Sequence, residues 1–409
     1  MPNPLPIDAA LPAVVVAART GAFVVVAPPG TGKTTRVPPA LVPEVRGAVW
    51  MLEPRRMAAR AAARRIASER GEPVGRSVGY QVRYERVGGR DTQIWVVTDG
   101  VLLRRLQDDP LLDGIGAVLI DEVHERGLEV DLALALLSEV REARPDLVVG
   151  AMSATVDADA IARFLGGAPI VSAEAPRFPV TASWLPYPDP RPVHEVAADA
   201  VRALGDPGGD VLVFLPGVGE IRRTAERLRG YPAEVVALYG DLPADQQDAV
   251  LAGGRGRRVI LATNVAETSV TVPGVTVVVD AGLARRPRLD PATGLDHLEL
   301  VPVSRASADQ RAGRAGRLGP GRVVRLWTER EHRARDAFDP PEVHRVDLCG
   351  PVLQLCAWGA DPARFRWLDP PPPEALAAAL ATLSDLGAVD GRSITPLGKT
   401  LAALPLHPR

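Results

Sequence analysis

Short unbroken apolar runs alternate along the chain with longer stretches in which apolar and charged residues recur at helical spacing. Ala22–Val26, Gly47–Leu52, Gln93–Val97, Ala117–Ile120 and Leu147–Met152 read as strands, with Ala-, Leu- and Arg-rich helical segments between them. Strand and helix alternate, so the sheet should be parallel and the class α/β. Asp8–Ala18 reads as a short leading helix with Asp8 as its cap. A second alternating series follows, with strands expected at Asp210–Phe214, Ala233–Leu238, Val259–Leu261 and Val275–Asp280.

The pattern breaks between and after these two series. Gly166–Pro192 is Pro-rich and non-periodic, which places a linker at 169–192 between a first domain (1–168) and a second (193–337). Alternating runs flank Asp290-Pro-Ala-Thr-Gly294 within Arg285–Val303, the signature of a β-hairpin. Beyond a short strand at Arg322–Trp327 the character turns helical, at Val346–Ala357 and Glu374–Leu386, with a turn region at Gly387–Ile394. Residues 338–409 therefore form a small third domain, mostly helix.

Composition narrows the classes. Hydrophobic residues make up 46% and charged residues 24%, so a packed core is expected and global disorder is not. The net charge of −2 carries no overall basic signature, so any affinity for nucleic acid must rest on local residues. Cys349 and Cys356 lie seven apart in a helical stretch, a spacing for core residues on one face and for neither a metal site nor a disulfide framework. The longest apolar runs, Ala9–Ala18 and Gly21–Gly30, are too short to span a bilayer, and the Met-Pro-Asn-Pro start has no positive segment. A cytoplasmic protein in a reducing compartment, without membrane contact, is expected.

In parallel sheets ligands sit at the carboxyl ends of the strands, and here those ends are polar. The first strand runs into APPGTGKTT, a turn whose Gly30, Thr31 and Gly32 backbone can curl around phosphate oxygens. Lys33 would reach the phosphates and Thr34 would offer a hydroxyl to Mg²⁺. An isolated match of this kind can be an ordinary Gly/Pro turn carrying a lysine. Yet of the 48 basic residues only Lys33 and Lys399 are lysines, so an arginine-rich chain has placed an ammonium where the loop needs one. The next strands end in Glu53-Pro-Arg-Arg56, Thr98-Asp-Gly100, Asp121-Glu-Val-His124 and Ser153-Ala-Thr155. Alone, Asp121-Glu122 would suit a solvated helix start. After a phosphate loop it fits a metal-holding carboxylate followed by one that orients or deprotonates water, the pair of a nucleoside triphosphatase.

The run QRAGRAGR, Gln310–Arg317, lies in the second domain. It reads either as a solvent-facing basic helix start or as arginines sharing one helical turn. In the second case Arg314 and Arg317 would stabilise a transferring phosphoryl group while Gln310 positions the water, and hydrolysis would depend on closure between the domains.

The set GTGKTT, EPRRMAAR, TDG, DEVHERG, SAT, ATNVAETSVTVPG and QRAGRAGR, in this order, resembles the DEAH/RHA group of superfamily 2 helicases, in particular its bacterial HrpB type. Val123 stands where the family name has Ala. The resemblance implies two tandem RecA-like parallel-sheet P-loop domains followed by a winged-helix domain. It implies ATP and Mg²⁺ as cofactors, with Gly30, Thr31, Gly32, Lys33, Thr34, Thr35, Asp121 and Glu122 around the triphosphate and metal. Gln310, Arg314 and Arg317 would serve the water and γ-phosphate, and Arg65 would stack on the base. His124, Ser153 and Thr155 would couple hydrolysis to movement. Arg55, Arg56, Thr98, Asn264 and Thr268 would hold single-stranded nucleic acid, RNA favoured over DNA, by phosphate and sugar. The hairpin at Asp290–Gly294 looks like the family's strand-separating element, or is a surface hairpin without a role. The family continues into a ratchet domain, so the chain is expected to be a fragment. A monomer translocating 3′ to 5′ is the family expectation.

Two rivals remain. A P-loop switch remodelling protein partners would hydrolyse ATP at a rate indifferent to oligonucleotides. A non-catalytic scaffold on an ATPase fold would show no turnover, against the complete set of Lys33, Asp121, Glu122, Gln310, Arg314 and Arg317.

Overall fold

The structure, a computed structural model, describes residues 4–154, 158–175, 178–254, 256–267, 272–290, 293–317, 319–404 and 406–409. The chain divides into two compact units. The first comprises Met1–Ala175, Arg288–Asp296 and Pro340–Arg409, the second Pro176–Pro287 and His297–Asp339.

In the first unit the chain runs α1 (Leu11–Ala18), β1 (Ala22–Val26), α2 (Lys33–Leu41), β2 (Ala48–Leu52), α3 (Arg56–Glu69), β3 (Val78–Val82), β4 (Glu85–Val87) and β5 (Ile94–Val97). It continues through α4 (Asp99–Asp108), β6 (Ile115–Ile120), α5 (Leu128–Ala143), β7 (Val148–Ser153), α6 (Ala158–Phe164) and β8 (Ile170–Ser172). The strands form one eight-stranded sheet in the order β4-β3-β5-β2-β6-β7-β1-β8. Apart from the antiparallel β3–β4 pair it is parallel. The central strands are apolar along their whole length because helices cover both faces; all six residues of β6 are buried. Packing beside β1 is tight. A Cβ added at Gly150 of β7 would lie 2.5 Å from the Phe23 ring and 2.6 Å from Leu119, so glycine leaves the room that Phe23 fills.

The second unit repeats the architecture with a six-stranded parallel sheet. Its elements are β9 (Val180–Trp184), α7 (Val193–Ala203), β10 (Asp210–Phe214), α8 (Val218–Arg227), β11 (Glu234–Leu238), α9 (Ala244–Ala252), β12 (Arg258–Ala262) and β13 (Val275–Asp280). After the hairpin of β14 (Leu283–Asp290) and β15 (Leu295–Pro302) come α10 (Arg305–Ala312), β16 (Gly321–Arg325) and α11 (Glu329–Ala334). The sheet order is β11-β12-β10-β13-β16-β9. A buried ion pair joins two of its strands: Asp210 Oδ2 accepts from Arg258 Nε at 2.9 Å and Nη2 at 2.6 Å, while Oδ1 accepts from the Arg258 backbone N–H at 2.9 Å.

The C-terminal segment holds α12 (Cys349–Trp358), α13 (Pro373–Asp385), the hairpin of β17 (Val389–Asp390) and β18 (Ser393–Ile394), and α14 (Pro396–Ala403). Three helices and a two-stranded wing make the winged-helix arrangement. Its core of Val352, Leu353, Cys356, Ala379, Leu383 and Val389 is completed by Leu128 of α5, so the segment packs as part of the first unit. Polar ties follow the same seam. Arg126 pairs with Asp131 at 2.9 Å and also with Asp369. The Leu128 N–H donates to Glu342 at 3.0 Å, and the Trp358 indole N–H to Glu139 at 2.9 Å.

Several expectations need correction. Asp8 does not start the leading helix. It lies inside a 3₁₀ turn, Pro6–Ala10, and reaches back to accept from the Leu5 N–H at 2.8 Å, with α1 proper beginning at Leu11. The stretch read as linker carries two strands, β8 on the edge of the first sheet and β9 on the edge of the second. Both are short and half-exposed, so they lack the apolar runs that mark central strands. Strands β3 and β4 went unforeseen: β3 is mostly buried but its apolar residues are interrupted by Gly79 and Gln81, and β4 is a three-residue edge. The first helix of the third region begins at Cys349, three residues after the expected start. The Gly387–Ile394 turn region is the β17–β18 hairpin.

Two outcomes follow from this packing. Asp210→Ala would strand the buried Arg258 guanidinium and should cost about 3–5 kcal/mol in urea unfolding of the second unit, with Asp210→Asn milder because it keeps an acceptor. Both cysteines are buried, and burial together with the Asp347 carboxylate pushes the Cys349 thiol up to about 12. At pH 8 the native protein should therefore resist a thiol reagent that titrates both cysteines in guanidinium; fast native modification would contradict the buried placement.

Candidate active site

The sheet order converts distant sequence into one row of side chains. Chain order β1, β2, β5, β6, β7 becomes spatial order β1, β7, β6, β2, β5, so the polar strand ends lie side by side at one edge. The phosphate loop follows β1, with Gly30 and Gly32 in the left-handed region at φ 85° and 94°. A side chain at Gly32 would also meet Leu5 at 2.6 Å. Thr31 is fully buried, and its hydroxyl donates to the Pro28 carbonyl at 2.8 Å, so it shapes the loop from within. Lys33 opens α2 behind Gly32, and the Thr35 hydroxyl faces the Gly32 carbonyl at 3.4 Å.

Lys33 is buried between two carboxylates, Nζ lying 3.0 Å from Asp121 Oδ1 and 2.7 Å from Glu122 Oε1. Burial alone would lower its pKa, but the Asp121 and Glu122 charges outweigh it and raise the ammonium above the ordinary lysine value. The Thr34 hydroxyl donates to Asp121 Oδ2 at 2.6 Å. Glu122 sits in left-handed backbone conformation at φ 55°, and its own N–H donates to Asp121 Oδ1 at 2.8 Å. For a non-glycine residue that conformation is strained, a feature that concentrates at functional sites. His124 Nε2 lies 3.5 Å from Glu122 Oε2, and Nδ1 accepts from the Ala154 N–H at 3.3 Å. The Ser153 carbonyl in turn accepts from the Ala27 N–H at 3.0 Å. Loop, carboxylates and the end of β7 are thus tied into one network. Thr155 lies outside the described residues.

Oxygen donors dominate here. The Thr34 hydroxyl and the Asp121 carboxylate converge on one spot, and hard oxygen ligands of this kind suit Mg²⁺. Beyond them, Arg55 pairs with Glu125 at 2.8 Å, Arg56 is exposed at the start of α3, and Thr98 is buried at the start of α4. Arg65 is exposed on α3 and pairs with Glu69 at 2.6 Å.

The second unit holds its arginines differently from the expected helix start. The QRAGRAGR run closes α10, whose last helical residue is Ala312, and continues in turns. Arg311 is fully buried; its Nε lies 2.8 Å from Glu267, its Nη1 3.0 Å from Asp280, and its guanidinium over the Phe214 ring. Ser307 also donates to Glu267 at 2.6 Å, and the Glu267 carbonyl accepts from Arg314 Nε at 2.9 Å. Arg314 is buried, whereas Gln310 and Arg317 are half-buried. Arg311 is therefore the member of the run that fixes Arg314, a role that could not be told from the repeated Arg spacing alone. Asn264 is exposed at the start of a 3₁₀ turn after β12; Thr268 lies outside the described residues. Glu53, named only as a strand end, proves to be a wholly buried carboxyl beside this site.

Known proteins carry the same arrangement. Residues 8–164 match the DEAD/DEAH box helicase family, 195–319 the helicase conserved C-terminal domain, and 379–406 the winged-helix helicase associated domain (HA2). The chain is 43% identical to the ATP-dependent RNA helicase HrpB of Escherichia coli over 99% of its own length and 51% of that protein. It is 36% identical to the ATP-dependent RNA helicase HrpA of the same organism, covering 100% of this chain and 33% of that one. A crystal structure of the E. coli DEAH/RHA helicase HrpB superposes with a TM-score of 0.92 at 41% identity, over 99% of this chain and 53% of the other. The chain thus spans about half the length of HrpB and a third of HrpA. With both helicase domains, the winged helix and this fold in hand, the chain belongs to the DEAD/DEAH-box helicase family.

Proposed function

We propose that this chain is the motor part of an ATP-dependent RNA helicase, hydrolysing ATP and advancing 3′ to 5′ along single-stranded RNA. The observation that carries the reading is the Lys33–Asp121–Glu122 cluster with the Thr34 hydroxyl on Asp121, formed where four neighbouring strands end. Lys33 is a compact charge for the β- and γ-phosphates, released from its carboxylates when a phosphate competes for it. Thr34 and Asp121 would hold Mg²⁺, which when bound offsets negative charge on the phosphate oxygens. Glu122 would take a proton from the attacking water, and His124, near Glu122 and bonded by the Ala154 N–H, would pass a change at Glu122 on to the Ser153–Ala154 backbone.

Arg314 and Arg317 serve the charge on the transferring phosphoryl group, with Gln310 orienting water. Arg55, Arg56, Thr98, Asn264 and Thr268 grip phosphate and sugar without reading bases, which a motor on any sequence requires. The names of HrpB and HrpA favour RNA over DNA as the track. Two free, buried cysteines suit action in a reducing cytoplasm, and no described helix is long and apolar enough to cross a membrane.

Steady-state ATP hydrolysis with and without single-stranded RNA, and with DNA of matching sequence, tests this. Strand stimulation should appear, with RNA ahead. Glu122→Gln should lower turnover at least about 100-fold, and Arg314→Ala about 1,000-fold. Turnover that ignores both strands yet falls in these variants would replace the motor by a protein-remodelling switch. Binding of labelled RNA against salt gives a second check. Arg56→Ala, an exposed position, should shallow the log–log slope by about 0.7, the share of one phosphate contact on a single strand.

A further inference from the structure

Glu53 is a buried acid without a hydrogen-bond partner for its carboxyl among the described residues. It follows β2 directly, between strands whose own ends are functional, and its backbone N–H donates to the Val97 carbonyl at 2.8 Å. Leu52 faces Ile120 in the β2–β6 register, which makes Glu53 the lateral neighbour of Asp121. The residue has no exposed surface, and neither carboxyl oxygen has a hydrogen-bond partner among the described residues. Burial first, then the nearby Asp121 and Glu122 charges, push its pKa well above the usual carboxylate range.

A packing role does not explain this side chain. An apolar residue of similar size would fill the same space without the desolvation penalty of an unsatisfied carboxyl. An unpartnered carboxyl beside Asp121 asks for partners that the described residues do not supply. When a nucleotide phosphate draws Lys33 away, the Asp121 and Glu122 carboxylates lie beside Glu53 without the ammonium that neutralised them. A hydrated divalent cation brings both positive charge and outward-pointing water O–H groups, and Mg²⁺ characteristically keeps several of its waters.

We propose that Glu53 is a positioning residue for the metal, accepting hydrogen bonds from water on the Mg²⁺ that Thr34 and Asp121 hold. It touches neither nucleotide nor metal directly, and its effect is on how strongly the site demands the ion. The proposal rests on the nucleotide-binding reading above.

The test is binding of a fluorescent non-hydrolysable ATP analogue as Mg²⁺ is raised from chelator-stripped buffer to about 10 mM, read for wild type, Glu53→Leu and Glu53→Gln. In Glu53→Leu the Mg²⁺ concentration at half-saturation should rise about tenfold, the effect typical of removing an outer hydrogen-bond partner of a metal site. Analogue affinity without Mg²⁺ should stay within about twofold. Glu53→Gln, which keeps one acceptor oxygen but cannot ionise, should fall between, and it decides the matter should the leucine variant not fold. Variants that fold and titrate with Mg²⁺ as wild type does would overturn the proposal while leaving the nucleotide site standing. Wild-type analogue binding indifferent to Mg²⁺ would overturn the reading beneath it as well.

Discussion

The Lys33 ammonium, held between Asp121 and Glu122, is the interaction on which the first unit's strand ends depend. Taking carboxylates out of water costs several kcal/mol each unless a counter-charge and hydrogen bonds meet them. Here one ammonium, the Thr34 hydroxyl and the Glu122 backbone N–H meet most of that demand. The arrangement is stable only while Lys33 stays, yet Lys33 is also the group a phosphate would claim. His124 lies on the other oxygen of the same Glu122 carboxylate, so the Lys33 and His124–Ala154 contacts share one side chain.

The second unit solves a related problem with a different cation. Arg311 is as deeply buried as Lys33 and meets two carboxylates, Glu267 and Asp280, but with a planar guanidinium that satisfies both at once and also stacks on Phe214. Burial by itself would lower its pKa, and the paired acids more than reverse that. Such a pair is built to stay. Position 311 thus carries a planar fork matched to two carboxylates, and position 33 a compact ammonium between two others.

Much of this was legible in the sequence, for identifiable reasons. Central strands announced themselves because burial on both faces demands continuous Val, Ile and Leu, as in Ile115–Ile120. The phosphate loop, Asp121 and Glu122 were legible because their chemistry needs fixed residue types at a strand end. Edge strands such as Ile170–Ser172 and Val180–Trp184 were not, since half-exposed backbone accepts polar residues and prolines nearby. Strand order was equally hidden, and with it the fact that Glu53 neighbours Asp121. Nor could the sequence rank the arginines of QRAGRAGR. What separates Arg311 from Arg314 is the position of Glu267 and Asp280, 44 and 31 residues away.

The place of β7 in the first sheet has a consequence for how the protein is made. Strands β1 and β6 are not neighbours; β7 lies between them, and it is the later of the three to leave the ribosome. Until β7 inserts, the loop carrying Lys33 and the strand carrying Asp121 have no common support, although both segments already exist. Contacts of such long sequence separation form late and slowly in parallel sheets. A growing chain short of Ser153 therefore carries Lys33 and Asp121 without the strand that holds their two segments side by side.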